Sequence, residues 1–181
     1  KTMLAKIIGE LYANMGILKN NSSELNFKIA TRSDLIGKYL GHTAIKTQEF
    51  IDSCEGGVMF IDEVYSLGNP EKRDSFSKEC IDTINLNLTE KKNFICIVAG
   101  YPDEIEQCFF SYNPGLKRRF PFGYDINEYD AEDLRKIFVY KIEKSGWKLN
   151  EDITENIKII DKFIEDKKSS FANYAGDIDI F

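Results

Sequence analysis

Gly57-Val58-Met59-Phe60-Ile61-Asp62-Glu63 carries a continuous apolar run to two adjacent carboxylates. Such a run fits a strand buried on both faces, as in a parallel sheet, and in an open α/β sheet ligands bind beyond the carboxyl ends of the strands. Asp62 could there hold Mg²⁺, a hard ion that takes carboxylate oxygen and keeps several waters. Glu63 could orient or deprotonate a water for attack on a γ-phosphate. The same segment also describes a strand followed by a solvated acidic turn, and the pattern alone leaves both open. Lys1-Thr2 opens an amphipathic helix upstream. A phosphate loop of the form G-x-x-x-x-G-K-[ST] ends in this dipeptide, its lysine reaching the β- and γ-phosphates and its hydroxyl reaching Mg²⁺. The glycines of that form are not in the sequence, but a Lys-Thr helix ahead of an Asp-Glu strand is the order a nucleoside triphosphatase of this kind requires.

Periodicity gives the elements that would carry these residues. Leu4, Ile7, Ile8, Leu11, Tyr12, Met15 and Leu18 have the spacing of one buried helical face. Phe27 to Thr31 reads as a short strand, with Ser33 or Asp34 capping the turn after it, and His42 to Cys54 as a second helix closed by Gly56 and Gly57. Phe76, Cys80, Ile81, Ile84 and Leu88 mark a third helix, Phe94 to Ala99 a second buried strand and Phe120 to Ile126 an edge strand. Ala131 to Lys144 and Ile153 to Lys167 read as amphipathic helices with no strand after them. Alternating helix and strand predicts an α/β fold with a parallel sheet and helices on both faces. The pattern changes near Tyr129 and Asp130, which predicts a core over 1–130 and a helical unit over 131–181.

Composition narrows the function classes. Twenty-four basic and thirty acidic residues in 181 give a net charge of −6, with one histidine, which argues against a dedicated nucleic-acid binder. No stretch approaches the roughly 18 apolar residues of a membrane span. Cys54, Cys80, Cys96 and Cys108 lack CxxC spacing, and His42 alone cannot complete a Cys/His zinc site. Free thiols in a reducing, cytoplasmic compartment are expected. The chain opens on Lys1 without a signal-peptide pattern, and it reads as a fragment.

Five collinear segments resemble the AAA+ ATPases: Lys1-Thr2, Thr31-Arg32-Ser33-Asp34-Leu35-Ile36-Gly37-Lys38-Tyr39-Leu40-Gly41-His42-Thr43, Gly57 to Glu63, Ala99-Gly100-Tyr101, and Asn113-Pro114-Gly115-Leu116-Lys117-Arg118-Arg119-Phe120. They are similar to the branch that holds the red-type rubisco activase CbbX, the sporulation protein SpoVK and the type VII secretion ATPase EccA. The resemblance implies a P-loop NTPase core of three α/β/α layers with a truncated helical lid, the first strand and phosphate-loop glycines preceding Lys1.

By that resemblance Lys1 and Thr2 end the Walker A loop and bind ATP, with Thr2 and Asp62 on Mg²⁺ and Asp62-Glu63 as Walker B. Tyr39-Leu40-Gly41 matches the aromatic pore loop that grips a protein substrate in the channel of a ring, expected to be a homo-hexamer. An aromatic suits that work because its large amphipathic area needs no particular sequence in the gripped chain. Arg118 and Arg119 stand where the family supplies an arginine finger to the neighbouring subunit, Arg119 aligning better. Ala99-Gly100-Tyr101 replaces the polar sensor-1 residue of most AAA+ proteins, a departure the branch shares. Phe171-Ala172-Asn173 resembles the start of the sensor-2 helix, but Tyr174 to Ile178 offers no arginine. The resemblance thus implies an ATP-hydrolysing protein remodeller, and for the fragment alone little or no turnover. A degenerate member serving as a nucleotide-binding scaffold is the alternative.

Overall fold

The computed structural model describes residues 1–19, 24–39, 41–90, 93–126, 129–146 and 158–162. By backbone packing, Lys1–Gly123 forms one compact unit and Tyr124–Phe181 a second.

The first unit is built on three parallel strands in the order β1 (Phe27–Ala30), β2 (Val58–Ile61) and β3 (Ile95–Val98). Val58 pairs with Phe27 on one side and Ile95 on the other, and Ile61 with Ala30 and Val98. All four β2 side chains are buried, as their unbroken apolar run predicts. Met59 and Ile61 enter the main core with Ile51 of α3 (His42–Ser53) and Cys80, Ile81 and Ile84 of α4 (Ser75–Glu90). Each such aliphatic side chain contributes about 1.5–3 kcal/mol by leaving water. On the opposite face α1 (Thr2–Asn14) lies close to Val58: a Cβ on Gly9 would stand 2.8 Å from Val58 Cγ2. Helices therefore cover both sheet faces, as expected of a P-loop α/β fold.

Gly57 is fixed by close approach. Val58 N–H donates to Asn26 O at 2.7 Å, and a Cβ on Gly57 would stand 2.0 Å from that same oxygen.

The structure corrects four local expectations. The face of α1 turned to the sheet is Ala5 and Gly9, while Leu4, Ile7, Leu11 and Met15 are exposed. Small residues let the helix approach the strand closely; of the expected stripe Leu18 is buried and Ile8 and Tyr12 are half-buried beside Ala5 and Gly9, so periodicity marked the face only in part. Residues 120–126 form no strand; a strand needs a neighbour for its backbone, and Pro121 and Gly123 weaken the segment further. β3 is half-buried rather than buried, since among the described residues only β2 pairs with it. The cap after β1 is Thr31, whose N–H donates to Asp34 Oδ2 at 2.9 Å across the one-turn α2 (Arg32–Leu35); Asp34 completes the capping box.

In the second unit, α5 (Ala131–Lys144) is capped by Asp130, whose carboxylate accepts the Asp133 N–H at 2.8 Å. Leu134 is buried among Tyr129, Ile137, Phe138 and Ile160. Residues 158–162 are helical; the remainder of the expected 153–167 helix, and Phe171-Ala172-Asn173, lie outside the described residues. The four cysteines are free, and burial pushes the Cys80 thiol up to about 11, which keeps it protonated and inert at neutral pH. Among the described residues no helix is long and apolar enough to cross a membrane.

Candidate active site

The turn that follows β2 carries the two carboxylates, and the end of β3 clamps it. Ala99 N–H donates to Ile61 O at 2.9 Å and Val64 N–H to Ala99 O at 3.0 Å, so Asp62 and Glu63 leave the sheet as a fixed loop between two bonds. Glu63 N–H donates to Asp62 Oδ1 at 3.0 Å. The Glu63 backbone is left-handed, φ 51° and ψ 47°, which costs a non-glycine residue about 1–2 kcal/mol. A 3₁₀ turn, Val64–Leu67, follows, its Ser66 N–H bonded to Glu63 O at 2.8 Å.

Lys1 meets this turn from the start of α1. Its Nζ donates to Glu63 Oε1 at 2.8 Å and lies 5.1 Å from the centre of the Tyr101 ring. The hydrogen bond to Glu63 raises the Lys1 pKa against the lowering effect of burial, and the ammonium stays charged. Tyr101 in turn stacks on Tyr65, ring centres 6.2 Å apart. Gly100 makes that stack possible, since a Cβ there would stand 2.9 Å from Tyr65 Cδ1. Ala99-Gly100-Tyr101 thus places an aromatic ring beside the lysine.

The donor set fits a magnesium nucleotide. The first turn of the 13-residue helix α1 carries no acidic residue, and the first N–H groups of a helix have no partner within it and suit an anion. Asp62 and Thr2 offer hard oxygens. Among the described residues no cluster of three His, Cys, Asp or Glu side chains forms a metal cage, and Mg²⁺ asks for none, since it takes one or two protein ligands beside phosphate and water.

The other expected residues stand apart from this cluster. Tyr39 is 67% exposed, with the His42 ring edge-on at 5.5 Å and the His42 N–H bonded to Tyr39 O at 3.1 Å. Gly41, with φ 79°, turns the chain into α3, and Leu40 lies outside the described residues. Arg119 donates to Thr89 Oγ1 from Nε at 3.1 Å and from Nη2 at 3.0 Å, and to Gly115 O from Nη1 at 3.0 Å. Arg118 is exposed and has no hydrogen bond or ion pair among the described residues. No such bond joins Tyr39 or either arginine to Lys1, Asp62 or Glu63.

Sequence reasoning passed over Arg32, whose guanidinium ties α2 to the turn after Glu63 and to Asp74. The Asp74 pKa is lowered: burial opposes this, but hydrogen bonds from Ser77, Arg32 and backbone N–H groups outweigh it. The available signal was the Thr31-to-Asp34 capping-box spacing, which fixes where Arg32 begins its helix. Tyr65 was missed too, its stack resting on a glycine thirty-five positions along the chain.

A family model described as ATPase family associated with various cellular activities (AAA) matches residues 1–119. The chain belongs to the AAA ATPase family. Within it, the chain is 43% identical over 180 residues to a cfxQ-like protein of Acanthamoeba polyphaga mimivirus, covering 99% of this chain and 43% of that protein. It is 39% identical over 159 residues to the stage V sporulation protein K of Bacillus subtilis, covering 87% and 48% respectively. With the chromosomal protein CbxX of Cupriavidus necator it shares 31% identity over 154 residues, 84% of this chain and 47% of that one. These likenesses bear out the CbbX/SpoVK-like branch. The AAA chain spans about half the length of these relatives.

Proposed function

We propose that this AAA protein hydrolyses ATP and uses the cycle to remodel a partner polypeptide, gripped by Tyr39 in the channel of a ring, hexameric in the intact protein. The observation that carries the reading is the meeting of Lys1 with Glu63 at the end of β2, beside the N-terminus of α1.

On this reading the α1 N–H groups and Lys1 hold the ATP phosphates, and Thr2 and Asp62 hold Mg²⁺, which supplies charge neutralisation at the phosphoryl oxygens. Lys1 exchanges the Glu63 carboxylate for phosphate as ATP binds. Glu63 is then free to orient a water and draw its proton. Tyr101 keeps the lysine aimed through its ring face. Arg119, exchanging its bonds to Thr89 for a neighbouring subunit's nucleotide, stabilises the charge that develops on the transferred phosphoryl group. The test is steady-state ATP turnover by the full-length protein against its Glu63→Gln variant.

A further inference from the structure

We infer that Arg32 is a positioning residue that couples the nucleotide site to the Tyr39 segment. The inference rests on the ATPase reading, because it presupposes that ATP binds beside Glu63.

One guanidinium spans three elements. Arg32 Nη1 donates to Ser66 O and Leu67 O, both at 2.8 Å, and to Ser77 Oγ at 3.3 Å, while Nη2 donates to Asp74 Oδ2 at 2.7 Å. Ser66 and Leu67 close the turn that Glu63 opens, and Ser66 N–H is bonded to Glu63 O. Arg32 is therefore one residue removed from the backbone of the water-activating carboxylate. Asp74 and Ser77 anchor the same guanidinium to the start of α4, and Asp74 Oδ2 also accepts the Ser77 hydroxyl at 2.7 Å.

Toward the other side, α2 is bonded to α3 at several points. Lys46 donates to the Ser33 and Ile36 carbonyls, Thr47 Oγ1 to Leu35 O at 2.9 Å, and Gly37 N–H to Thr43 Oγ1 at 3.1 Å. These bonds bracket Tyr39 from both ends, with Gly37 packed so closely that a Cβ would stand 2.8 Å from His42 Cβ.

The element on which the two sites meet is the Glu63 turn. Glu63 pairs with Lys1 through its side chain, while the backbone bonds to Ala99 hold its left-handed backbone in place; when phosphate takes Lys1, the released carboxylate acts on the 3₁₀ turn beyond Val64, where the Ser66 and Leu67 carbonyls lie. Arg32 follows them, because its planar fork fixes the direction of each bond in a way a lysine cannot reproduce. The shift reaches α2 and the Tyr39 segment through bonds rather than through mere proximity.

The test is hydrogen–deuterium exchange over residues 33–43 of the full-length protein, with and without ATP, in wild type, Arg32→Gln and Arg32→Lys, alongside titration with mant-ATP. Wild type is expected to change its exchange at 33–43 on binding ATP. Arg32→Gln is expected to bind mant-ATP within about threefold of wild type, below the range of a typical coupling effect, yet to lose most of that change, with Arg32→Lys intermediate. If Arg32→Gln does not fold, Asp74→Asn, which removes the carboxylate oxygen shared by Arg32 Nη2 and the Ser77 hydroxyl, is expected to diminish the change. A change at 33–43 that survives these substitutions undiminished, or is absent from a wild type that binds mant-ATP, overturns the coupling. A wild type that does not bind mant-ATP overturns the ATPase reading and the coupling with it.

Discussion

Lys1 Nζ lies 2.8 Å from Glu63 Oε1 across 62 positions of sequence. The cation proposed for the phosphates and the carboxylate proposed for the water thus neutralise each other. The side chains are 35% and 43% exposed, so solvent screens the pair, and it is worth at most about 1 kcal/mol.

Glu63→Gln removes Lys1's competing anion. Mant-ATP is expected to bind the variant as tightly as wild type or up to about fivefold tighter, the equivalent of that 1 kcal/mol. Binding tenfold weaker would place Glu63 among the ligands of the nucleotide rather than against it.

Gly57→Ala places a methyl group where the carbonyl of Asn26 stands 2.0 Å away. Backbone must move at the head of β2, at a cost of about 2–4 kcal/mol. The urea midpoint should fall accordingly, and an unchanged midpoint would mean that β1 and β2 do not meet at this register.

Much of this was legible in the sequence because one physical signal dominated each element. β2 is buried on both faces, so its apolar run was unbroken and its terminal acids were placed correctly. α4 buries Cys80, Ile81 and Ile84, and its periodicity marked the right face, whereas α3 buries Thr43 and Thr47 beside Ile51 and leaves Ile45 exposed, so its apolar residues marked the face only in part. α1 misled in part because its contact face includes Ala5 and Gly9, too small to register against the exposed Leu4, Ile7 and Leu11. The Phe120–Ile126 segment had strand-like composition, but pairing depends on a neighbour that composition does not specify. Arg32 was unreadable because its acceptors at Ser66, Leu67 and Asp74 are brought to it only by the tertiary fold.

Tyr39→Ala removes a side chain that is 67% exposed and outside the core. The melting temperature should therefore stay within the equivalent of about 0.5 kcal/mol, while partner remodelling is lost. A large drop in melting temperature would assign Tyr39 to packing instead of grip.

Arg119→Ala and Glu63→Gln are each expected to lose turnover, by about 10³-fold and 10²-fold respectively. A mixture of the two should regain activity, because some interfaces then pair an intact Glu63 with an intact Arg119 from the neighbour. No regain in mixed assemblies would confine Arg119 to its bonds with Thr89 and Gly115.

The most direct test of the central claim is steady-state ATP turnover of the full-length protein, wild type beside Glu63→Gln, with protein concentration varied. Specific activity that rises with concentration in wild type and falls at least about 100-fold in the variant is the predicted result. Nucleotide binding with no Glu63-dependent turnover at any concentration would contradict it, and would make the protein a nucleotide-binding scaffold.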